Sequence, residues 1–94
     1  MGIAGKWRKI STAECDKRYP DEIEFFEPSR YLAKKGPAQN FIWWDAGTYQ
    51  LVSESEVRIT TATDALTTYR YSISGDFLKF VDSDGCEFEY ERKT

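Results

Sequence analysis

Residues 86–92 read Cys-Glu-Phe-Glu-Tyr-Glu-Arg, and no other stretch indicates the type of fold as clearly. Its two aromatic residues, Phe88 and Tyr90, alternate with glutamates. Successive side chains of a β-strand point to opposite faces, so one face of this segment is apolar and the other is acidic. This alternation is typical of a strand that is half buried in an antiparallel sheet.

The same period of two recurs along the chain. Segments rich in Val, Ile, Thr and aromatic residues are separated by Gly, Pro, Asp and Ser, which favours a series of short strands. We predict strands at residues 5–11, 22–26, 30–35, 41–52, 56–61, 66–74, 77–81 and 86–92. One short helix is predicted at residues 12–18, because Ser11 and Glu14 have the spacing of a capping box and Pro20 ends the segment.

The connections after the first one are short, and Gly75 and Gly85 mark tight turns. Sequential strands joined in this way form an up-and-down meander, which eight strands are enough to close. Lys6 and Arg8 on the first strand and Lys79 on the seventh would then face the glutamates of the last. We therefore predict a single domain over residues 1–94, an all-β, eight-stranded antiparallel up-and-down barrel.

The composition restricts the possible functions. The chain has no histidine, which removes the usual general base, the commonest metal ligand and every Ser–His–Asp arrangement. A net charge of −3 with both signs mixed offers no basic footprint for nucleic acid. No apolar run is long enough to span a membrane, and the first residues do not resemble a signal peptide. We therefore expect a cytoplasmic, non-enzymatic protein with no cofactor, no metal, and no nucleic-acid or membrane partner.

Gly5-Lys6-Trp7, at the start of the first predicted strand, resembles the Gly-x-Trp opening of the calycins, the superfamily of lipocalins, fatty-acid-binding proteins and avidins. Residues 47–49 and 71–78 resemble small bacterial lipocalin-like domains of unknown function. The resemblance implies a lipocalin-like barrel in which Trp7 closes one end and Arg92, on the last strand, covers it. The chain is much shorter than a true lipocalin and lacks the other lipocalin motifs, so a ligand-carrying role does not transfer with the fold.

Cys15 and Cys86 are the two cysteines. If the first and last strands pair antiparallel, the end of one lies beside the start of the other, so a disulfide is geometrically possible. The pairing of Trp7 with Arg92 implies nearly the same register. Thiols stay reduced in the expected cytoplasmic setting, so two reduced thiols are the first expectation and a disulfide is the alternative.

Residues 41–44 read Phe-Ile-Trp-Trp and are apolar on both faces of their predicted strand. Adjacent side chains point to opposite faces, so one tryptophan can enter the core while the other faces outward. A soluble monomer seldom leaves such a surface bare. Three interpretations stay open: the rim of a ligand pocket, cover by a loop or the short helix, or a dimer interface made by Phe41, Ile42, Trp43 and Trp44.

We formulate two functional hypotheses. In the first, the protein is a lipocalin-like mini-barrel that binds a small apolar or aromatic ligand or pairs with a second copy as a homodimer. A barrel cavity would be lined by Trp44, Tyr49, Tyr69, Tyr71 and Phe88, whereas a barrel filled by its own side chains would bind at residues 41–44. In the second, it is an inhibitor or immunity-type module that contacts a protein partner through residues 16–27 or 36–40.

Overall fold

A computed structural model describes residues 2–34, 42–61 and 63–93 of the chain. The strands are β1 (Gly5–Lys9), β2 (Glu22–Phe26), β3 (Arg30–Lys34), β4 (Ala46–Leu51), β5 (Glu56–Thr60), β6 (Leu66–Ser74), β7 (Phe77–Val81) and β8 (Glu87–Arg92). A short 3-10 helix (Glu14–Arg18) follows β1. The eight strands pair antiparallel in sequence order and close into a barrel. The predicted fold class is thereby confirmed, including the short helix after the first strand.

Closure depends on the pairing of β1 with β8, in which Trp7 lies opposite Arg92 and Arg8 lies opposite Glu91. Two of the expected charge pairs are present, one on each side of β8. Arg8 approaches Glu91 at 3.9 Å, and Lys79 on β7 lies 3.5 Å from Glu87. Such exposed cross-strand pairs are each worth about 0.2–1 kcal/mol, so they favour the correct neighbours more than they stabilise the fold.

Two strand bounds differ from prediction by more than one residue, and both differences have identifiable reasons. β1 ends at Lys9, because the N–H groups of Ile10 and Ser11 both donate to the carbonyl of Glu89 and the regular ladder stops there. β4 begins at Ala46, so the prediction of a strand from residue 41 was wrong for residues 42–45. That stretch crosses the end of the barrel with a single isolated bridge, Trp43 to Thr61. Residue 35, the predicted end of the third strand, lies outside the described part of the chain.

The short helix also begins later than the capping-box spacing predicts. Ser11 does not cap it, since the residue before its first turn is Ala13. The Asp16 carboxylate instead accepts hydrogen bonds from the Ser11 hydroxyl and from the Ala13 N–H. The Ser11 side chain, which the capping-box pattern would pair with a backbone N–H, therefore pairs with the buried Asp16 carboxylate instead.

Aromatic rings fill the interior of the barrel. Tyr19, from the segment after β1, stacks on Phe88 at a centroid separation of 3.8 Å, and Phe88 stacks on Phe80 at 5.3 Å. Trp43 stands edge-on to Tyr19 at 6.1 Å and donates its indole N–H to the Tyr69 hydroxyl at 3.2 Å. These rings are almost completely removed from solvent, as expected of a close-packed core.

Each end of the barrel is closed by a different device. At one end, Cys15 in the short helix is bonded to Cys86 before β8, with their Cα atoms 6.0 Å apart. The first expectation, two reduced thiols, is therefore corrected: the helix folds back far enough to bring the two sulfurs together. At the other end, the guanidinium carbon of Arg92 lies 4.2 Å from the centre of the Trp7 ring, as the calycin resemblance implies.

Candidate binding surface

The five predicted ligand-binding residues do not surround one cavity. Tyr69 and Phe88 are 1% and 0% exposed and belong to the packed core. Tyr49 is also buried, Tyr71 is half-buried at a barrel end, and Trp44 lies outside with 44% of its surface exposed. The expectation of a common pocket is therefore corrected, because Tyr69 and Phe88 pack edge-on against each other in the core while Trp44 lies outside.

The four predicted interface residues also separate. Trp43 is fully buried, so it cannot contact a partner directly and its expected interface role was wrong. Ile42 is half-buried and packs against the core. Phe41 lies outside the described residues, as does the loop 36–40. Trp44 is thus the member of this group that the structure places on the surface.

Trp7 and Arg92 serve a structural purpose. The Trp7 indole N–H donates to the Ile3 carbonyl at 2.8 Å, and the ring is fully buried. Arg92 covers this ring and donates to the Ala4 carbonyl at 3.1 Å. A cation over an aromatic face stabilises by about 0.5–2 kcal/mol. These contacts tie the first residues of the chain to the end of the barrel and leave the Trp7 ring no free face.

The exposed large apolar side chains draw attention to a different surface. Phe26 on β2 is 39% exposed, Leu32 on β3 is 50% exposed and Leu66 on β6 is 67% exposed. Trp44 precedes β4 by two residues and continues the outward alternation of that strand. We call Phe26, Leu32 and Trp44, together with Arg30, the outer apolar face.

Strand register brings these residues onto one wall. Phe26 pairs with Arg30 across β2 and β3, and Arg30 pairs with Thr48 on β4. Leu32 pairs with Ala46, whose small side chain leaves the leucine uncovered. Further round the barrel, Thr60 on β5 pairs with Leu66 on β6. The outer apolar face therefore lies over β2, β3 and the start of β4, and Leu66 lies further round the closed barrel.

The basic residues outnumber the acidic ones on β3 to β6, whereas β2 carries Glu22 and Glu24. β3, β4 and β6 contain no Asp or Glu, and β5 contains only Glu56. Neither Arg30 nor Arg58 has an ion-pair partner among residues 2–34, 42–61 and 63–93. On the remaining strands, by contrast, Arg8 and Lys79 pair with the glutamates of β8. The outer apolar face is therefore bordered by both signs of charge, since Glu24 pairs with Leu32 across β2 and β3 and Asp45 follows Trp44 in the sequence.

Shallow hollows accompany this wall. One of about 260 Å³ is lined by Phe26, Arg30, Tyr31 and Leu32. Leu32 also borders a larger groove of about 360 Å³, which continues over β2 and β1 to Glu24 and Lys6. A third hollow has Thr48, Arg58 and Leu66 among its walls. All three hollows lie on the outside of the barrel, next to exposed apolar side chains.

The residues whose pKa values are shifted lie outside the outer apolar face. Burial is the main cause that raises the pKa of Tyr19, Tyr31, Tyr69 and Tyr90. The Lys93 ammonium donates to Glu22 at 3.1 Å, and this hydrogen bond lowers the pKa of that carboxyl. These shifts have structural causes, and none belongs to a residue of the outer apolar face. In the part of the chain that the structure describes, no three His, Cys, Asp or Glu residues are grouped to hold a metal ion.

No family model matches this chain, and no curated protein or solved structure matches it significantly. The eight-stranded closed barrel is consistent with a calycin-like architecture, and the likeness stops at the fold. Among the described residues, no helix is long and apolar enough to cross a membrane.

Phe26, Leu32 and Leu66 were not recognised from the sequence as surface residues of interest. A signal was nevertheless present. Each occupies an outward position in the strand alternation, where polar residues are usual, and the strands from residue 30 to 51 lack carboxylates. Their common location depended on the register of β2 to β6, which the sequence alone does not fix.

Proposed function

We propose that this protein is a non-enzymatic binding module that contacts a protein partner through the outer apolar face. The observation that carries the proposal is the exposure of Trp44 and Leu32, at 44% and 50%, at the neighbouring strands β3 and β4. Contiguous exposed apolar surface rimmed by polar groups is typical of protein interaction sites. Tryptophan and arginine are also the residues most enriched where binding energy concentrates.

The packed interior favours this proposal over a carrier role. A lipocalin-type carrier needs an enclosed space for its ligand, whereas here Tyr19, Phe80 and Phe88 stack at the centre of the barrel. Opening a pocket there would expose large rings to water, at about 25 cal/mol per Å² of apolar surface. An inhibitor or immunity-type role agrees with external binding, because such a module needs a rigid surface and no cavity.

Site-specific photo-crosslinking tests the location of the surface. Trp44 is replaced by p-benzoylphenylalanine, and the protein is irradiated in its native cells. The matched control carries the same group at Glu89, an exposed position on β8. We expect a crosslinked protein adduct at position 44 and none at position 89. Equal adducts at both positions, or an adduct at position 89 alone, would refute the outer apolar face as the binding surface.

Native mass spectrometry separates the alternatives that involve no other protein. A small-molecule adduct that disappears on denaturation would support the carrier hypothesis, with the ligand at one of the barrel ends. A dimer that dissociates on replacement of Trp44 by glutamate would identify a second copy as the occupant. An unliganded monomer together with a crosslink at position 44 is the result that we expect.

The compartment is a separate proposal. A cytoplasmic location remains a prediction from the sequence, and the Cys15–Cys86 bond argues against it because cytoplasmic thiols are kept reduced. We infer that the protein works where this disulfide persists. Trapping thiols with a maleimide in intact cells tests the inference: an unmodified chain supports it, and two modified cysteines support the cytoplasmic prediction.

A further inference from the structure

We propose that the Cys15–Cys86 bond is a reversible redox site, which opens by thiol attack on Cys15 and closes again while the protein stays folded. The bond joins the short helix to the residues before β8, at the barrel end opposite to Trp7. Its chemistry does not depend on the outer apolar face. Two observations indicate such a site: the unequal exposure of the two cysteines, and the non-covalent contacts that hold their segments together.

The two cysteines differ in their access to solvent. Cys15 is exposed on the short helix, whereas Cys86 is only 7% exposed and belongs to the buried core. A thiolate opens a disulfide by attacking one of its two sulfurs, and it can attack only a sulfur that it reaches. The attack therefore falls on Cys15, and Cys86 is the leaving group.

Asp82 links the two cysteine-bearing segments without a covalent bond. Its carboxylate accepts hydrogen bonds from the Tyr19 hydroxyl at 2.7 Å and from the Cys86 N–H at 2.8 Å. The Asp82 N–H in turn donates to the Cys86 carbonyl at 3.0 Å. Tyr19 follows Cys15 by four residues. One carboxylate thus ties the short helix to the residues before β8, whether or not the two sulfurs are bonded.

Contacts with β1 and β8 hold the short helix as well. The Lys9 ammonium at the end of β1 donates to the Asp16 carbonyl at 2.8 Å, and the Tyr19 ring stacks on Phe88 of β8. No sulfur takes part in these contacts, so we expect them to persist in the reduced protein and to keep the two thiols close. Groups held close together react faster than separate ones, because no bimolecular encounter is needed.

The reductant in this reaction is a dithiol. Its thiolate forms an S–S bond with Cys15 while the bond to Cys86 breaks, and the Cys86 sulfur leaves with the electron pair and takes up a proton. The second thiol of the reductant then displaces Cys15 from the mixed disulfide. The protein ends as two thiols and the reductant as a cyclic disulfide, so two electrons and two protons have passed to the protein.

The first test follows the reduction of the intact, disulfide-bonded protein by dithiothreitol. Samples are quenched with acid, and the mass gain of two hydrogens reports the opening of the bond. We expect a rate that hardly changes with urea below the unfolding transition, because the exposed Cys15 is attacked in the native state. A rate that rises steeply with urea, in proportion to the unfolded population, would overturn the proposal, since the bond would then open only on unfolding.

The second test identifies the sulfur that is attacked. Cys86→Ala leaves Cys15 as a free thiol, Cys15→Ala leaves Cys86, and each variant is mixed with oxidised glutathione. We expect glutathione to add to Cys15 at least about tenfold faster than to Cys86 in the folded variants, and at similar rates in urea. Equal rates in the folded variants, or faster addition to Cys86, would overturn the proposal. If either variant loses the near-UV circular dichroism of the core, the mixed disulfide of the wild-type protein with glutathione is trapped by acid and located by peptide mapping, and glutathione on Cys86 would be the contrary result.

Tyr19→Phe tests whether the bond closes on the folded protein. Reduced protein is mixed with oxidised glutathione, and the conversion of the mixed disulfide to the Cys15–Cys86 bond is timed by mass. We expect the wild-type protein to close without accumulating the mixed disulfide, and Tyr19→Phe to close severalfold more slowly, because it lacks the hydroxyl that binds Asp82. Tyr71→Phe, which removes the hydroxyl of a half-buried tyrosine without a contact to either cysteine segment, is the matched control and should close like the wild type. Accumulation of the mixed disulfide in the wild type, or equal closing rates for wild type and Tyr19→Phe, would show that these contacts do not guide the bond.

Discussion

Lys9 holds the segment after β1 against the end of the barrel. Its ammonium donates to the Asp16 carbonyl at 2.8 Å and to the Tyr19 carbonyl at 3.1 Å. It also lies 3.6 Å from the Asp16 carboxylate, and the two side chains are only 9% and 2% exposed. A buried charge needs a partner, because its loss of hydration is otherwise uncompensated.

Lys9→Met should destabilise the protein strongly. The substitution leaves the Asp16 carboxylate buried without its cation, and breaking a buried pair in this way costs about 3–5 kcal/mol. Urea denaturation measures the change in the free energy of unfolding. Lys17→Met is the matched control, because its pair with Glu14 is 64% and 86% exposed and such exposed pairs contribute little to stability. Similar losses for the two variants would contradict a buried role for Lys9.

A glycine is needed at position 47 because of Tyr31, the residue opposite to it on β3. Gly47 pairs with Tyr31, and a Cβ atom added to it would lie 2.8 Å from the tyrosine ring. The ring cannot move away freely, because its hydroxyl donates to the Thr60 carbonyl at 2.7 Å. The glycine is thus required by the close approach of the Tyr31 ring from the neighbouring strand.

We expect Gly47→Ala to reduce stability by about 1–3 kcal/mol, as overpacking of a core does. Thermal unfolding followed by circular dichroism gives the change. The same substitution in a Tyr31→Leu background should cost clearly less, since the ring that causes the clash is gone. Additive effects of the two substitutions would show that Tyr31 is not the reason for the glycine.

At the scale of single elements, the disulfide joins the short helix to β8. Cys15 and Cys86 are 71 residues apart in sequence. Cross-linking two points this far apart removes conformational entropy from the unfolded chain, which stabilises the fold by about 4–5 kcal/mol in the entropic model. The same segment is also held by the hydrogen bond from Tyr19 to Asp82 at 2.7 Å. The helix therefore has a second attachment that does not depend on oxidation.

Reduction should lower the stability without opening the barrel. We expect Cys15→Ser combined with Cys86→Ser to lose about 2–5 kcal/mol in urea denaturation while the near-UV circular dichroism of the core rings persists. Added reductant should destabilise the wild-type protein to a similar degree and leave the double variant unchanged. A reductant effect on the double variant would point to a cause other than this bond.

The strand elements were predictable because their period of two is strong. Segments such as residues 22–26 and 77–81 have the same bounds in the sequence prediction and in the structure. Residues 42–45 were not, because their apolar character on both faces fits an extended strand as well as a crossing segment. Trp43 enters the barrel end from this segment and is fully buried there. The local sequence does not show that the barrel end has space for this ring.

The candidate surface could be predicted from the sequence only in part, because its residues come together through the pairing of strands. The sequence predicts that one of the adjacent tryptophans faces outward without deciding which, and the structure places Trp44 there at 44% exposure. The exposed Phe26 and Leu32 are recognised only through strand register, which places them on β2 and β3 beside the start of β4. The cysteine bond was misjudged because the expected compartment, rather than geometry, decided the prediction.

At the scale of the whole molecule, aromatic packing couples stability to alkaline pH. Tyr31 donates to the Thr60 carbonyl and Tyr90 to the Pro20 carbonyl, both at 2.7 Å. Burial raises the pKa of these phenols, and likewise those of Tyr19 and Tyr69, above the ordinary value of about 10. The folded state therefore keeps these protons at a pH where the unfolded chain releases them.

This difference sets the sign of the pH dependence. Below about pH 10 both states are protonated at these phenols, so their contribution to stability is fully present. Above it the unfolded chain binds fewer protons than the folded one, and the free energy of unfolding falls by about 1.4 kcal/mol per pH unit for each such tyrosine. Four buried phenols acting together should make the loss of structure steep.

We therefore expect a cooperative alkaline transition in which phenolate absorbance near 295 nm rises together with the loss of near-UV circular dichroism. Tyr71, which is half-buried, should account for part of any earlier absorbance change, so Tyr71→Phe should remove that part and leave the main transition in place. Gradual titration of every tyrosine with the near-UV spectrum unchanged would mean that the rings are accessible in the native state. That result would reopen the question of an internal ligand site, because phenols that hydroxide can reach are not sealed in a packed core.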